Sequence, residues 1–244
     1  MDEPTPAAKA VVGWGPATAL SYGIFTFIAA QLFGSALLGG IAAAFNVPMN
    51  RLWGDNASSW MTLLLASLIG SIIVGLVYLM VKKRGAWEGL GLTWPGAKKL
   101  INIGLALLIY LVGLVVVMSL VEVLLPGINL DQDQNIGFKT MHSWPEQLAA
   151  ALALMVVAPV SEEILFRGFI FRGLNTKLAW PVAALISSGL FGLAHWQLNV
   201  SLDTFVLGMA ACWLAVRTNS IVPGILLHSI KNTVAFVAVF ILGQ

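Results

Sequence analysis

Long apolar runs separated by short polar loops set the pattern of this chain. A helix needs roughly 20 apolar residues to cross a bilayer. On that measure the runs near 17–45, 60–81, 101–125, 147–174, 179–195, 202–216 and 221–242 are candidate spans. The pattern predicts an all-α, polytopic transmembrane helix bundle of about seven spans, within a range of six to eight. The first run is long enough to be tilted or broken at Gly39-Gly40, and the sixth is short enough to be partly re-entrant. No loop exceeds about 21 residues or carries the bias of a flexible linker, so residues 1–244 read as one integral-membrane domain. Neither a solenoid repeat nor an inverted repeat is visible. Small residues four apart, Ala66 with Gly70 and Ser71 with Gly75, predict close helix contacts.

Composition agrees: 59% of residues are hydrophobic and 10% charged, with a mean hydropathy of +0.89. A water-soluble surface cannot be built from these. The net charge of +2 gives nucleic-acid binding no support. A lone Cys212 in an apolar run excludes an internal disulfide and reads as a packing residue. The acidic start Met1-Asp2-Glu3-Pro4 is unlike a secretory signal, so the first run is expected to be a retained span. Basic residues gather in alternate loops: Lys82, Lys83, Arg84, Lys98 and Lys99, then Arg172, Lys177 and Arg217. The opposite loops hold mainly Arg51 and Lys139, the latter near Asp131 and Asp133, which places the amino terminus in the cytoplasm. The stretch from Gly85 to Pro95, with Trp87 and Trp94 between lysine clusters, reads as an interfacial anchor. Glu88 and Glu122, in a loop and at a span end, carry no expected role.

Polar groups inside three of the runs change the picture. Ser161-Glu162-Glu163-Ile164-Leu165-Phe166-Arg167 sits in an apolar stretch from Leu148 to Leu174. Each such charge at the middle of a spanning helix costs about 2.5–3.5 kcal/mol, so intramembrane carboxylates and guanidinium groups mark function and have partners. On a helix Glu163 and Arg167 face one another and can pair, while Glu162 points about 100° away, free to face a polar pocket as a base. Pro159 predicts a kink where a cavity can open. His228 and Asn232 share one helix face and can aim at one point as hydrogen-bond donors, or His228 can ligate a metal. His195, about 24 Å along the fifth span, approaches from the far side and needs helix tilt or unwinding to join them. Phe191 reads mainly as packing, and His142, in a polar loop, as solvated.

The ordered set Glu162-Glu163-x-x-x-Arg167, Phe191-x-x-x-His195 and His228-x-x-x-Asn232 resembles the CAAX prenyl endopeptidase and bacteriocin-processing (CPBP, Abi) family of intramembrane proteases. The resemblance covers about 147–242, the expected protease core. It implies peptide-bond hydrolysis within the membrane of a bacterial cell. Glu162 would activate water together with His195, His228 and Asn232 would stabilise the oxyanion, and Glu163 with Arg167 would hold the base. No cofactor is firmly implied. The alternative is a Zn²⁺ site with Glu162, His195 and His228 as ligands, although no HExxH helix occurs. The expected partners are the lipid bilayer and a membrane-associated peptide or lipidated protein, prenylated or bacteriocin-like, and no nucleic acid. Two other classes fit the buried cluster: a transporter or proton relay, and a non-catalytic immunity or scaffold protein.

Overall fold

The computed structural model describes residues 12–48, 51–52, 59–83, 87–130 and 143–240. Lys139, Asp131, Asp133, Arg84, His142 and the first eleven residues lie outside them, as do the expectations placed on those positions. The described residues form helices: α1 (Pro16–Ala44), α2 (Ser59–Lys83), α3 (Ile101–Leu124), α4 (Trp144–Asn175), α5 (Trp180–Leu193), α6 (Leu198–Thr218) and α7 (Val222–Phe240). Two short 3₁₀ turns, Trp87–Leu90 and Ala97–Leu100, link α2 to α3. The seven helices match the seven apolar runs. Five of them, α1 to α4 and α6, are long and apolar enough to cross a membrane, and the chain is an integral membrane protein.

Two expectations about individual spans are corrected. Helix α1 runs unbroken through Gly39 and Gly40, neither of which has a neighbour near its Cα that would need the missing side chain. The sixth run is a full helix of 21 residues, and the short one is α5, with 14. At 1.5 Å per residue α5 reaches only about 21 Å, less than the roughly 30 Å hydrocarbon layer.

Helix α4 is the centre of the bundle. It touches α1, α2, α5, α6 and α7, while α3 packs from outside against α6 and α7. Every residue from Glu163 to Leu174 is buried. Its start is fixed by Ser143, whose backbone N–H and hydroxyl both donate to Glu146, with Pro145 in the first turn. Pro159 does not break the helix. Instead the backbone widens into π turns at Ala153–Val157, runs as α-helix through Ala158–Glu163, and widens again at Ile164–Phe171. Donors from elsewhere reach the widened segments: Asn232 to the Leu154 carbonyl (2.8 Å), Ser187 to that of Phe166 (2.8 Å) and the Trp14 indole to that of Phe169 (2.8 Å). Gly70 of α2 passes close to Val157 and Ser161, as the small-residue pattern predicts, but Gly75 meets nothing.

The basic end of the bundle is stitched by Arg172. Its Nε donates to the Gly89 carbonyl (2.7 Å) and its Nη2 to Asn219 Oδ1 (3.0 Å). Asn219 closes α6 in the left-handed conformation (φ 53°). Gly91 (φ 73°) leaves room for the guanidinium, since a Cβ there would lie 2.5 Å from Arg172 Nη1. Ser220 Oγ donates to the Thr93 carbonyl (2.6 Å) and Ile221 N–H to that of Gly91 (2.9 Å). The stretch from Trp87 to Thr93 is thus more than a surface anchor: Leu90 is fully buried while Trp87 remains exposed.

Loss of this stitch should be felt globally. Arg172→Ala is expected to lower the melting temperature of the purified protein by about 4–8 °C, and Arg172→Lys, lacking the planar fork, to recover less than half of that. An unchanged melting curve for Arg172→Ala would remove the stitch from the account.

Candidate functional site

Glu163 and Arg167 have no exposed side-chain surface, and their ion pair is 3.0 Å long. Burying two charges costs free energy that only a close, well-aligned pair offsets, and the pair also needs room between the helices. Two glycines supply it: a Cβ at Gly208 of α6 would fall 2.6 Å from Arg167 Nη2, and one at Gly224 of α7 would fall 3.1 Å from Glu163 Oε2. The guanidinium also lies over the Phe191 ring, 4.3 Å from its centroid. Glu162 differs from its neighbour. It keeps 24% of its side-chain surface accessible.

His228 sits against both carboxylates, with Nδ1 3.4 Å from Glu163 Oε1 and Nε2 3.8 Å from Glu162 Oε2. Both distances are longer than a hydrogen bond, and His228 Nδ1 and Glu163 Oε1 have no hydrogen-bond partner among the described residues, so Glu162 is left uncommitted. Asn232, one turn further along α7, donates its amide to Leu154 and keeps a second N–H. The expected shared face of His228 and Asn232 is therefore turned toward α4.

His195 lies in the turn between α5 and α6. The helix ends at Leu193 and the chain reverses through Trp196, held in the left-handed conformation (φ 58°), a costly setting for a bulky residue. The helix thus ends two residues before His195. His195 Nδ1 is 2.9 Å from the Phe191 carbonyl, and its ring stands edge-on to that of Phe191 at 5.1 Å. No hydrogen bond or ion pair joins His195 to Glu162. Among the described residues no three His, Cys, Asp or Glu side chains gather closely enough to hold a metal ion. The donor set Glu162, His195 and His228 therefore does not fit Zn²⁺ in this arrangement, and no step below is routed through one.

Several residues of the site were underrated or missed in the sequence. Phe191, fully buried, packs against Phe166 (tilted, 4.9 Å), edge-on against His195 and His228 (5.8 Å), and under Arg167, and is the spacer on which the polar groups rest. Gly208 and Gly224 carry no local signal beyond being glycine in a span. A second polar cluster joins α3, α6 and α7: Lys231 Nζ lies 2.6 Å from Asp203 Oδ2, and Tyr110 donates to Asp203 Oδ1. Asp203 and Lys231 were visible as charges in apolar runs, and that was the available signal.

Comparison with known proteins follows the same stretch of chain. Residues 144–234 match the family model described as Type II CAAX prenyl endopeptidase Rce1-like. A Bacillus subtilis protein named "Putative membrane peptidase YdiL" is 38% identical over 78 residues, 32% of this chain and 32% of that one. The UPF0177 protein YxdF of Lactococcus lactis is 36% identical over 83 residues, 32% of this chain and 44% of that one. An Escherichia coli protein named "Uncharacterized 24.3 kDa protein" is 30% identical over 96 residues, 37% of this chain and 44% of that one. The matched segments thus span a third to under half of these relatives' lengths. No solved structure gives a significant match. Residues 144–234, which contain Glu162, Glu163, Arg167, His195, His228 and Asn232, bear out by their match to the Rce1-like family the resemblance to CAAX prenyl endopeptidases.

Proposed function

We propose that the protein is an intramembrane endopeptidase that hydrolyses a peptide bond in a membrane-associated substrate. The observation that carries this reading is the inequality of two adjacent carboxylates. Glu163 is sealed and paired with Arg167, whereas Glu162 is partly open, with His228 at 3.8 Å. A carboxylate held in an apolar surrounding and not committed to a partner is suited to take a proton from water. The family match to residues 144–234 supports a membrane peptidase.

In this reading Glu162 accepts a proton from a water molecule, assisted by His195, and the water oxygen bonds to the scissile carbonyl carbon. Negative charge develops on the carbonyl oxygen, where an N–H of His228 and the second N–H of Asn232 stabilise it. Collapse of the tetrahedral intermediate breaks the C–N bond, and the proton held by Glu162 passes to the leaving amine. Glu163 and Arg167 fix the rotation of α4. No serine or cysteine nucleophile is required, and Ser161 spends its hydroxyl on the Val157 and Ala158 carbonyls. The substrate is a peptide or lipidated protein reached from the bilayer, and the basic end of the bundle faces the cytoplasm.

Two outcomes follow for the paired charges and for the base. Arg167→Ala strands Glu163 as a buried unpaired charge, a loss of about 3–5 kcal/mol, so its folded yield in membranes should fall well below that of Glu162→Gln; equal yields and melting temperatures would argue against the pairing. Glu162→Gln and His195→Ala should each abolish cleavage of a peptide substrate, with the double variant no worse than either. Robust cleavage by Glu162→Gln would sink the proteolytic reading, and ion flux in proteoliposomes would then favour transport. Because the three zinc-ligand candidates are not gathered, activity should survive a strong chelator; loss of activity restored by Zn²⁺ would reinstate the metal.

A further inference from the structure

Leu154 lies in the first widened segment of α4, where hydrogen bonds close over five residues rather than four: the N–H of Ala158 goes to the carbonyl of Ala153. In that register the Leu154 carbonyl would turn to residue 159. Residue 159 is proline and has no N–H to give. The helix thus leaves one of its own carbonyls unmet, in a surrounding where an unmet backbone group is costly. Asn232 of α7 meets it, its Nδ2 lying 2.8 Å from the Leu154 oxygen.

We propose that Asn232 is a positioning residue for the Glu162–Glu163 pair, supplying across the helix interface the hydrogen bond that Pro159 cannot make. Without that bond the Leu154 carbonyl can be reclaimed by Ala158 in ordinary α geometry. The widened turn then closes, and the side chains beyond it move by as much as one residue's step, about 100° of rotation. Glu162 and Glu163 are the side chains beyond it. Helix α7 therefore holds α4 at two heights, through Asn232 at the widened turn and through His228 at the carboxylates. The bond to Leu154 uses one of the two amide N–H groups, so positioning and oxyanion binding draw on different hydrogens.

The catalytic half of this inference rests on the proteolytic reading, while the hydrogen-bond half does not, and a double-mutant cycle separates them. Pro159→Ala introduces an N–H at position 159, so it should make Asn232 partly dispensable. Wild type, Asn232→Ala, Pro159→Ala and the double variant are compared by melting temperature and by kcat and KM on a peptide substrate. Asn232→Ala should melt about 2–4 °C lower and lose about 100–1000-fold in kcat with KM little changed. In the double variant at least half of the melting loss and about tenfold of the kcat loss should return. Additive melting shifts would overturn the inference. Recovery of melting temperature without recovery of kcat, in a wild type that cleaves, would overturn the positioning role, leaving the bond to Leu154 as structural and Asn232's effect on turnover to its second N–H. If the wild type cleaves no peptide the proteolytic reading falls, and coupling or additivity in melting still decides whether Asn232 replaces the missing bond.

Discussion

The Glu163–Arg167 ion pair is the constraint around which the bundle is arranged. Two full charges without accessible surface depend on each other, since removing either leaves the other buried and uncompensated. Gly208 and Gly224 permit close approach from α6 and α7, and Phe191 closes the pair in from α5 with its ring face under the guanidinium. Helices on three sides of α4 are therefore committed to one packing. Cys212, buried near Ser188 at 3.9 Å, belongs to the same close-packed wall. The contrast lies beside it, where Glu162, one residue away, keeps part of its side chain accessible.

Helix α4 meets a conflicting demand. It must cross the bundle with its backbone satisfied, yet carry side chains in a register that a regular α-helix would not give. Widened turns on either side of the carboxylates resolve this, and they occur where side chains from other helices can donate to the loosened carbonyls. Asn232, Ser187 and Trp14 come from three separate parts of the chain. Local irregularity in one helix is thereby tied to the tertiary fold.

Much of the architecture was legible because bilayer thickness imposes a length on apolar runs, and the seven runs became seven helices. Pairing of Glu163 with Arg167 was legible for a similar reason, since a four-residue spacing dictates a shared helix face. The geometry of α4 was not. Proline signals a kink, but the backbone widens instead, and the widened turn takes a hydrogen bond from Asn232, seventy-eight residues beyond Leu154, which no local pattern encodes. The roles of Phe191, Gly208 and Gly224 were hidden likewise, because an aromatic or a glycine in a span looks the same whether it faces lipid or a buried charge. Which of α5 and α6 would be short was misjudged for a related reason: the fifth apolar run continues through His195, whereas the helix stops at Leu193.

The contact of Lys231 with Asp203, itself bonded to Tyr110, has a mechanical consequence for α7. Lys231 is adjacent in sequence to Asn232, so the two leave the helix about 100° apart. One grips α4 and the other grips α6 and, through Asp203, α3. A cylinder gripped from two directions cannot roll about its own axis, so α7 is fixed in azimuth as well as in place. Helix α3, which brings no side chain to the carboxylates, is then part of the bearing that keeps His228 pointed at them.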